Sequence, residues 1–574
     1  MTGAPVIYLD FETYYDQGYS LQNLPTAQYV RDERFQALGA AVAAGHGHTA
    51  WLTFDESGDG LDVLRTAIPG AVVVAHNAAF DAAVLDRLLP GVTPALWLCT
   101  MNWTRYAISQ GALPPDARTG LAWWGSFLEY RKGDTAAAVA AGGQQLATYA
   151  ERDIELLRRV FAWLRKVCPW PLHECRASDL HVRMAANPVL ELDTPLLESL
   201  ATGPLPEAEA LRSRDTFAAV LRKCGVEPGT KQGARGRPTY AFAKTDPFMQ
   251  SLARHPDPRV RKLRELKTMG GSTIEATRAQ RFLDVGSPLP APLWYYGAHT
   301  GRASGADGLN MQNLPSGPLR RALRAPDGHV LVVADYSQIE ARVIAWGADC
   351  AGALGPFVSG RDPYKEAATA IFHVDYDEVS PLQRDQAKAA VLALGFGQSA
   401  NGFLGYCQGY QIDMDERTAN WIVSVFRRQR PALVAFWRTM FERLLRDGHL
   451  KLPSGRLLTY PDMQRQGRDV KYWRHHLFSR GAGRQEVNLW PGLVAQNWTQ
   501  AVARDVIYHA ALRMPGRPAL LVHDEVVLVV PRDAGGHVTI EEQVSSVMLD
   551  LPEWAAGLPV DCEVTVMETY GGNP

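Results

Sequence analysis

No stretch of the sequence approaches the roughly 20 consecutive apolar residues that a membrane-crossing helix needs, which sets a membrane protein aside. Nor is there a charged start followed by an apolar core. Met1-Thr2-Gly3-Ala4-Pro5 runs straight into an acid-containing, strand-like segment, so no secretory leader is expected. Cysteine is sparse, 7 in 574 residues, and no two form a CxxC pair. That leaves neither a thiolate zinc site nor a disulfide framework, and points to reduced thiols in a cytoplasm. A strong excess of either charge is missing too. Lys+Arg 59 against Asp+Glu 61 gives a net charge of −2, which argues against a protein that binds polyanions over its whole surface. Internal repeats and low-complexity tails are absent.

What is present is length and unevenness. A chain of 574 residues exceeds a single core, so about two to four domains are expected. Residues 1–150 carry 8 Lys/Arg against 14 Asp/Glu, whereas residues 211–285 carry 16 against 7, which suggests separate jobs for an acidic front and a basic middle. Short apolar runs at Val6–Leu9 and Ala71–Ala75 alternate with a helical pattern over Leu146–Val167, the mark of an α/β unit. Cys168-Pro169-Trp170-Pro171 then breaks the pattern as a linker would. From about 172 to 290 the pattern is helical and basic, with a Gly/Arg-rich interruption at Gly229–Pro238. Beyond it, strands at Val330–Ala334 and Ala519–Val530 mix with helices at Pro363–Phe372, Leu382–Leu394 and Glu416–Asp447.

In the front unit, Asp10 and Glu12 stand at i and i+2 on a strand, so both point to one face. Two acids side by side on a core strand are costly unless a cation neutralises them, and hard divalent metals take oxygen ligands. Asp81 follows the apolar strand 71–75 within His76-Asn77-Ala78-Ala79-Phe80-Asp81. Tyr149 and Asp153, four apart, share one helix face. Each motif alone reads as ordinary surface or core. Together they supply four carboxylates and a phenol, as two-metal hydrolysis requires. In order and span the set resembles the DEDDy exonucleases, whose fold is RNase H-like. That resemblance implies Asp10, Glu12, Asp81 and Asp153 as metal ligands, with Tyr149 beside the attacking water.

In the back half, Val330–Asp335 is an apolar strand ending in an acid, and Leu520–Leu528 sets Asp524 and Glu525 at the centre of an apolar hairpin. Acids in such company are expensive unless they bind metal, so Asp335 and Asp524 form a second candidate pair. Between them Arg384, Lys388, Leu392 and Phe396 recur in steps of four, cations first and apolar residues after. The cations suit a triphosphate and the apolar end a base. The plainer reading is an amphipathic helix with its apolar end in the core. With the flanking acids, the set is similar to the motifs of family A polymerases, the bacterial DNA polymerase I type: Asp335-Tyr336-Ser337-Gln338-Ile339-Glu340, the Arg-x-x-x-Lys fingers helix, and His523-Asp524-Glu525. Thr300-Gly301-Arg302, Asn310-Met311-Gln312-Asn313-Leu314-Pro315, Leu452–Arg456 and Gln500–Asp505 follow in the family's order, and Gly360–Tyr364 is nearest to phage-type members.

The resemblance covers nearly the whole chain and implies an α/β multidomain protein. An exonuclease at 1–170 precedes a right-handed polymerase at 171–574, with thumb about 195–290, palm about 291–355 and 450–574, and fingers about 356–449. It implies DNA-directed DNA synthesis with 3′→5′ proofreading. Each site would use two Mg²⁺ ions, with Mn²⁺ as a substitute, held in the palm by Asp335 and Asp524 beside Glu525. Arg384 and Lys388 would hold the triphosphate, Lys388 also as general acid. Leu392, Phe396, Tyr336 and His523 would surround the nucleotide, and Glu340 would exclude a 2′-hydroxyl. Thr300, Arg302, Asn310, Gln312, Gln500 and His523 would contact primer–template DNA. Expected partners are primer–template DNA and dNTPs, with a monomer lacking a processivity subunit and no 5′-nuclease, in the cytoplasm of a bacterial cell or phage-infected bacterium. The family often has Phe or Tyr where this chain has Leu392, and Tyr where it has Phe396; the lost aromatic edge and hydroxyl bear on fidelity and dideoxynucleotide discrimination rather than on catalysis. Competing readings are an exonuclease with an inactive DNA-binding body, a single-subunit RNA polymerase (disfavoured by Glu340), and a non-catalytic scaffold, which would leave two acid clusters to accident.

Overall fold

A computed structural model of the chain describes residues 3–54, 59–130, 133–202, 211, 213–232, 238–243, 246–270, 274–410, 412–467, 469–475, 477, 484–534, 536 and 538–572. The front unit is a five-stranded sheet of β1 (Val6–Thr13), β2 (Ala37–Ala44), β3 (Thr49–Leu52), β4 (Val72–Ala75) and β5 (Leu96–Cys99), ordered β3-β2-β1-β4-β5. β1 runs antiparallel to β2 and parallel to β4, an RNase H-like arrangement. β4 is buried throughout, as its unbroken Val-Val-Val-Ala predicts for a strand covered on both faces. Gly39 lies opposite Glu12, and a Cβ there would fall 2.3 Å from the Trp51 ring, so this register needs glycine.

Helices Ala78–Leu88 and Gly143–Val167 cover the sheet. The second buries Leu146, Tyr149, Ala150, Asp153, Ile154, Leu157, Val160 and Leu164 at helical spacing, which turns Tyr149 and Asp153 inward with the core residues. The chain breaks after Val167 where Pro169 and Pro171 lead one to expect it, but the break is a packed corner and not a loose linker. Cys168 and Trp170 are buried, the Trp103 indole donates to the Cys168 carbonyl at 2.8 Å, and the Trp170 and Trp103 rings stack at 5.3 Å. Helix Leu172–Ala186 follows and packs on helix Ala78–Leu88 and on β5.

A helical body follows with its own small core around Phe217, Leu221, Met249 and Val260. Short strands Thr230–Gln232 and Pro238–Tyr240 pair across the Gly/Arg-rich segment, whose residues 233–237 lie outside the described residues. The back half centres on a four-stranded antiparallel sheet of β6 (His329–Tyr336), β7 (Arg517–Val522), β8 (Glu525–Pro531) and β9 (Cys562–Met567), ordered β7-β8-β6-β9. The largely buried helix Pro491–Ala511 packs against it. A helical subdomain contains Pro363–Phe372, Pro381–Leu394, Ala400–Gly409, Glu416–Gln429 and Pro431–Asp447. The single helix expected over 416–447 is two. Pro431 has no N–H to give and disfavours a helical Arg430, which sits at φ −126, ψ 58.

Two candidate active sites

In the front unit, one oxygen each of Asp10, Glu12 and Asp153 lie within 4.8 Å of one another. β1 contributes the first two from one face, and helix Gly143–Val167 presents the third. Asp81 sits beside this trio. Its Oδ1 accepts the Phe11 N–H at 3.1 Å. Complete burial, then the charge of Asp10, raise its carboxyl well above the usual range. Tyr149 lies one turn before Asp153, buried, with its hydroxyl 2.6 Å from Thr135 Oγ1. The expected acids are thus brought together, with Asp81 tied to the β1 backbone, while the Tyr149 hydroxyl is engaged by Thr135.

Next to the start of helix Ala78–Leu88 lies a cavity of about 280 Å³. Its walls come from both halves of the chain, Asn77 and Met101 on one side, Trp294 and Asp307 on the other. The Arg105 guanidinium covers the Trp294 ring at 4.4 Å. Trp294 carried no sequence signal, because it belongs to no acid motif and its neighbours here lie far away in the chain.

The second cluster is built by register. Asp335 in β6 stands opposite Glu525 in β8 and Glu563 in β9, which lines three acids across the sheet. Asp524 occupies the two-residue turn closing β7 to β8, where His523 takes a left-handed φ of 57 and the Asp524 carbonyl accepts the Tyr336 N–H at 3.2 Å. Burial, then Asp524, Glu525 and Glu563, push the Asp335 carboxyl up to about 7, with Arg320 opposing. Burial likewise raises Asp524, against the pull of Arg302. Glu525 is held by Arg320 at 2.9 Å and by the Tyr570 hydroxyl. Glu563, Arg320 and Tyr570 carried no sequence signal, because only the strand register and the path of the last residues bring them here.

Around this cluster, Glu340 in the first turn of helix Ile339–Gly347 pairs with Arg302 at 2.8 Å. Arg302, Gln312 and His523 line one small cleft, and Gln312 donates to the Leu521 carbonyl at 3.3 Å. Thr300 is buried next to Gly301, Asn310 has a buried side-chain oxygen packed at Gly305, and Gln500 is half-buried on helix Pro491–Ala511. Tyr336 departs from its expected place at the nucleotide. Strand alternation puts it on the sheet face opposite Asp335, where it is buried and its hydroxyl donates to the Met548 carbonyl at 2.6 Å.

Helix Pro381–Leu394 opens with a Ser380/Gln383 capping box. Its exposed stripe includes Lys388 and Leu392, the latter 39% exposed, while Ala387, Ala390 and Leu394 fill the core. An amphipathic helix with Leu392 packed inward is therefore not what forms. Arg384 pairs with Asp362 at 2.8 Å, and Arg384 and Lys388 both lie over the Tyr364 ring, at 5.4 and 5.7 Å. Phe396 follows the helix half-buried. Its carbonyl would lie 1.9 Å from a Cβ at Gly492, so only glycine lets helix Pro491–Ala511 start this close.

Residues 250–572 match the family model of DNA polymerase family A. The chain is 29% identical over 279 residues to the thermostable DNA polymerase I of Thermus thermophilus, covering 47% of this chain and 31% of that protein. It is 30% identical over 284 residues to the DNA polymerase of Bacillus phage SP02, covering 44% of this chain and 43% of that protein. The chain thus spans less than half the length of these curated relatives. The solved POL domain of Pol1 from M. smegmatis, in complex with DNA primer-template and dNTP, superposes with a TM-score of 0.68 at 19% identity, covering 99% of this chain and 96% of that one, and shares its fold. With the family matched over more than half its length, this chain belongs to DNA polymerase family A.

Proposed function

We propose that the chain performs template-directed DNA synthesis at Asp335 and Asp524 and removes 3′-terminal nucleotides at Asp10, Glu12, Asp81 and Asp153. The observation that carries the reading is the row of acids at the β6–β8 junction, where burial and then the neighbouring carboxylates hold Asp335 up at about 7. Such mutual repulsion is relieved by a bound cation, and carboxylate oxygens at both clusters suit Mg²⁺ or Mn²⁺. Bound magnesium would supply charge neutralisation at the attacking and leaving oxygens of both reactions.

The remaining work falls to the chain's own residues. Arg384, once released from Asp362, and Lys388 offer a planar fork and a point charge to a triphosphate, and Lys388 can pass a proton to the departing pyrophosphate. Glu340, paired with Arg302, would close the site to a sugar 2′-hydroxyl. Arg302, Gln312 and His523 present one cleft to the primer–template, flanked by Thr300, Asn310 and Gln500. At the front site Tyr149 orients the attacking water beside Asp153. Residues about 195–290 act as a thumb that grips backbone phosphates, with the palm and fingers divided near 355 and 450. Primer–template DNA and dNTPs are then the partners of a chain that acts as a monomer.

Template direction is tested by single-nucleotide incorporation opposite each of four templating bases, offering each dNTP and each rNTP. The expected result is incorporation of the complementary dNTP alone, with Glu340→Ala admitting rNTPs at least about tenfold better. Incorporation independent of the template base, or equal use of rNTPs by the unaltered chain, would overturn the reading.

A further inference from the structure

The row of acids at the β6–β8 junction poses a problem that the polymerase reading leaves open. Asp335, Glu525 and Glu563 face one another across neighbouring strands, and Asp524 adjoins them, so more carboxylates are present than a two-acid metal site uses. We infer that Arg320 and Tyr570 are positioning residues that hold Glu525 out of the metal site, leaving Asp335 and Asp524 to present a two-carboxylate centre. This rests on the polymerase reading above.

Both Glu525 oxygens are engaged. Arg320 Nη2 donates to Oε2 at 2.9 Å and to Oε1 at 3.3 Å, and the Tyr570 hydroxyl also donates to Oε1. The Arg320 guanidinium lies 3.8 Å over the Tyr570 ring, so cation, phenol and carboxylate form one closed unit. The Nε of Arg320 is buried and has no hydrogen-bond partner among the described residues. Its orientation therefore comes from Glu525 and the Tyr570 ring. Tyr570 is only 1% exposed, and its placement is set by backbone pairing of the last residues to the segment that carries Arg320. Tyr570 N–H donates to the Leu323 carbonyl at 2.8 Å, Ala325 N–H donates to the Glu568 carbonyl at 3.0 Å, and Arg324 bridges to Thr569. Gly571, at φ 72, lets this turn close against the Arg320 side chain, where a Cβ would stand 3.2 Å from Cδ.

The consequence is electrostatic and geometric. A released Glu525 would add an unpaired negative charge beside Asp335 and Asp524, which strengthens cation binding. It would also offer a third carboxylate to the cation, altering the donor set that Asp335 and Asp524 present. Loss of the clamp therefore tightens metal binding while slowing synthesis. A merely structural lesion weakens both.

The test uses the full chain on primer–template DNA in an Asp10→Ala, Asp153→Ala background, so that bound Mn²⁺ reports the polymerase centre. Mn²⁺ affinity is read by electron paramagnetic resonance, extension by single-turnover kinetics, and DNA affinity and thermal unfolding alongside. Arg320→Gln is expected to bind Mn²⁺ about tenfold tighter and to extend at least about tenfold more slowly, with primer–template affinity retained. The near-isosteric Tyr570→Phe should move both in the same directions by less. Adding Glu525→Gln to Arg320→Gln should reverse the Mn²⁺ shift and recover part of the rate, which isolates the coupling between the two. Unchanged or weakened Mn²⁺ binding in Arg320→Gln and in a folded Tyr570→Phe would overturn the inference, as would a double variant that keeps the shift. Failure of the unaltered Arg320 and Tyr570 chain to extend would instead overturn the polymerase reading.

Discussion

Asp335 concentrates the chemistry of the proposed polymerase centre in one ionisable group. Its carboxyl, pushed from an ordinary 3.8 up to about 7 by burial and neighbouring acids, keeps its proton in the metal-free fold where the unfolded chain has released it. The stability this group allows is complete below about pH 4 and is lost as pH rises through the folded value. A divalent cation favours the ionised form and so works against that loss. Thermal unfolding should therefore show a Mg²⁺-induced stabilisation that grows between pH 5 and about pH 8, and Asp335→Asn should flatten it. A Mg²⁺ effect independent of pH in the native chain would contradict this. Residues of this kind were legible in the sequence, because Asp10, Glu12 and Asp335 sit in apolar strands, and Asp524 in an apolar hairpin, that have no other use for them. Their companions were not. Arg320 and Glu525 are 205 positions apart, and their pairing depends on where the last residues turn back. Tyr336 was read from its motif alone, and the alternation of β6 places it on the other face.

Among the elements, helix Leu172–Ala186 carries Glu174, fully buried and shared by both halves of the molecule. Arg504, from helix Pro491–Ala511, grips it with two hydrogen bonds of 2.5 and 2.8 Å, and the Tyr295 hydroxyl adds a third. Burial pushes Glu174 up, but Arg504 and Arg456 more than offset this and leave its carboxyl at about 2. Arg456 in turn pairs with Asp505 at 2.7 Å. Removing one member strands a buried guanidinium, so Glu174→Ala should destabilise the chain by about 3–5 kcal/mol, read by denaturant unfolding. A cost below about 1 kcal/mol would show that water rescues Arg504. None of this was visible beforehand, since Cys168–Pro171 looked like a linker and Glu174 belongs to no motif. Helix existence was easier to read than helix continuity. The apolar pattern runs through 416–447, while Pro431 alone decides that Arg430 leaves the helix.

At the scale of the molecule, the two candidate sites stand on one scaffold. Residues of β4, of helix Gly143–Val167, of β6 and of helix Pro491–Ala511 share a continuous hydrophobic core. The end of helix Thr100–Ser109 is fastened to the strand near Leu457, where Leu457 N–H donates to Gln110 Oε1 at 2.8 Å and Thr459 Oγ1 donates to the Ser109 carbonyl at 2.9 Å. The two chemistries are separable all the same, because no carboxylate is common to both clusters. The measurement that tests the account most directly is extension and shortening of a labelled primer on its template in Mg²⁺ with dNTPs, comparing the native chain with Asp524→Ala and Asp10→Ala. The account predicts that the native chain extends, that Asp524→Ala only shortens the primer, and that Asp10→Ala extends without shortening. Extension that survives Asp524→Ala, or shortening that survives Asp10→Ala, would contradict it.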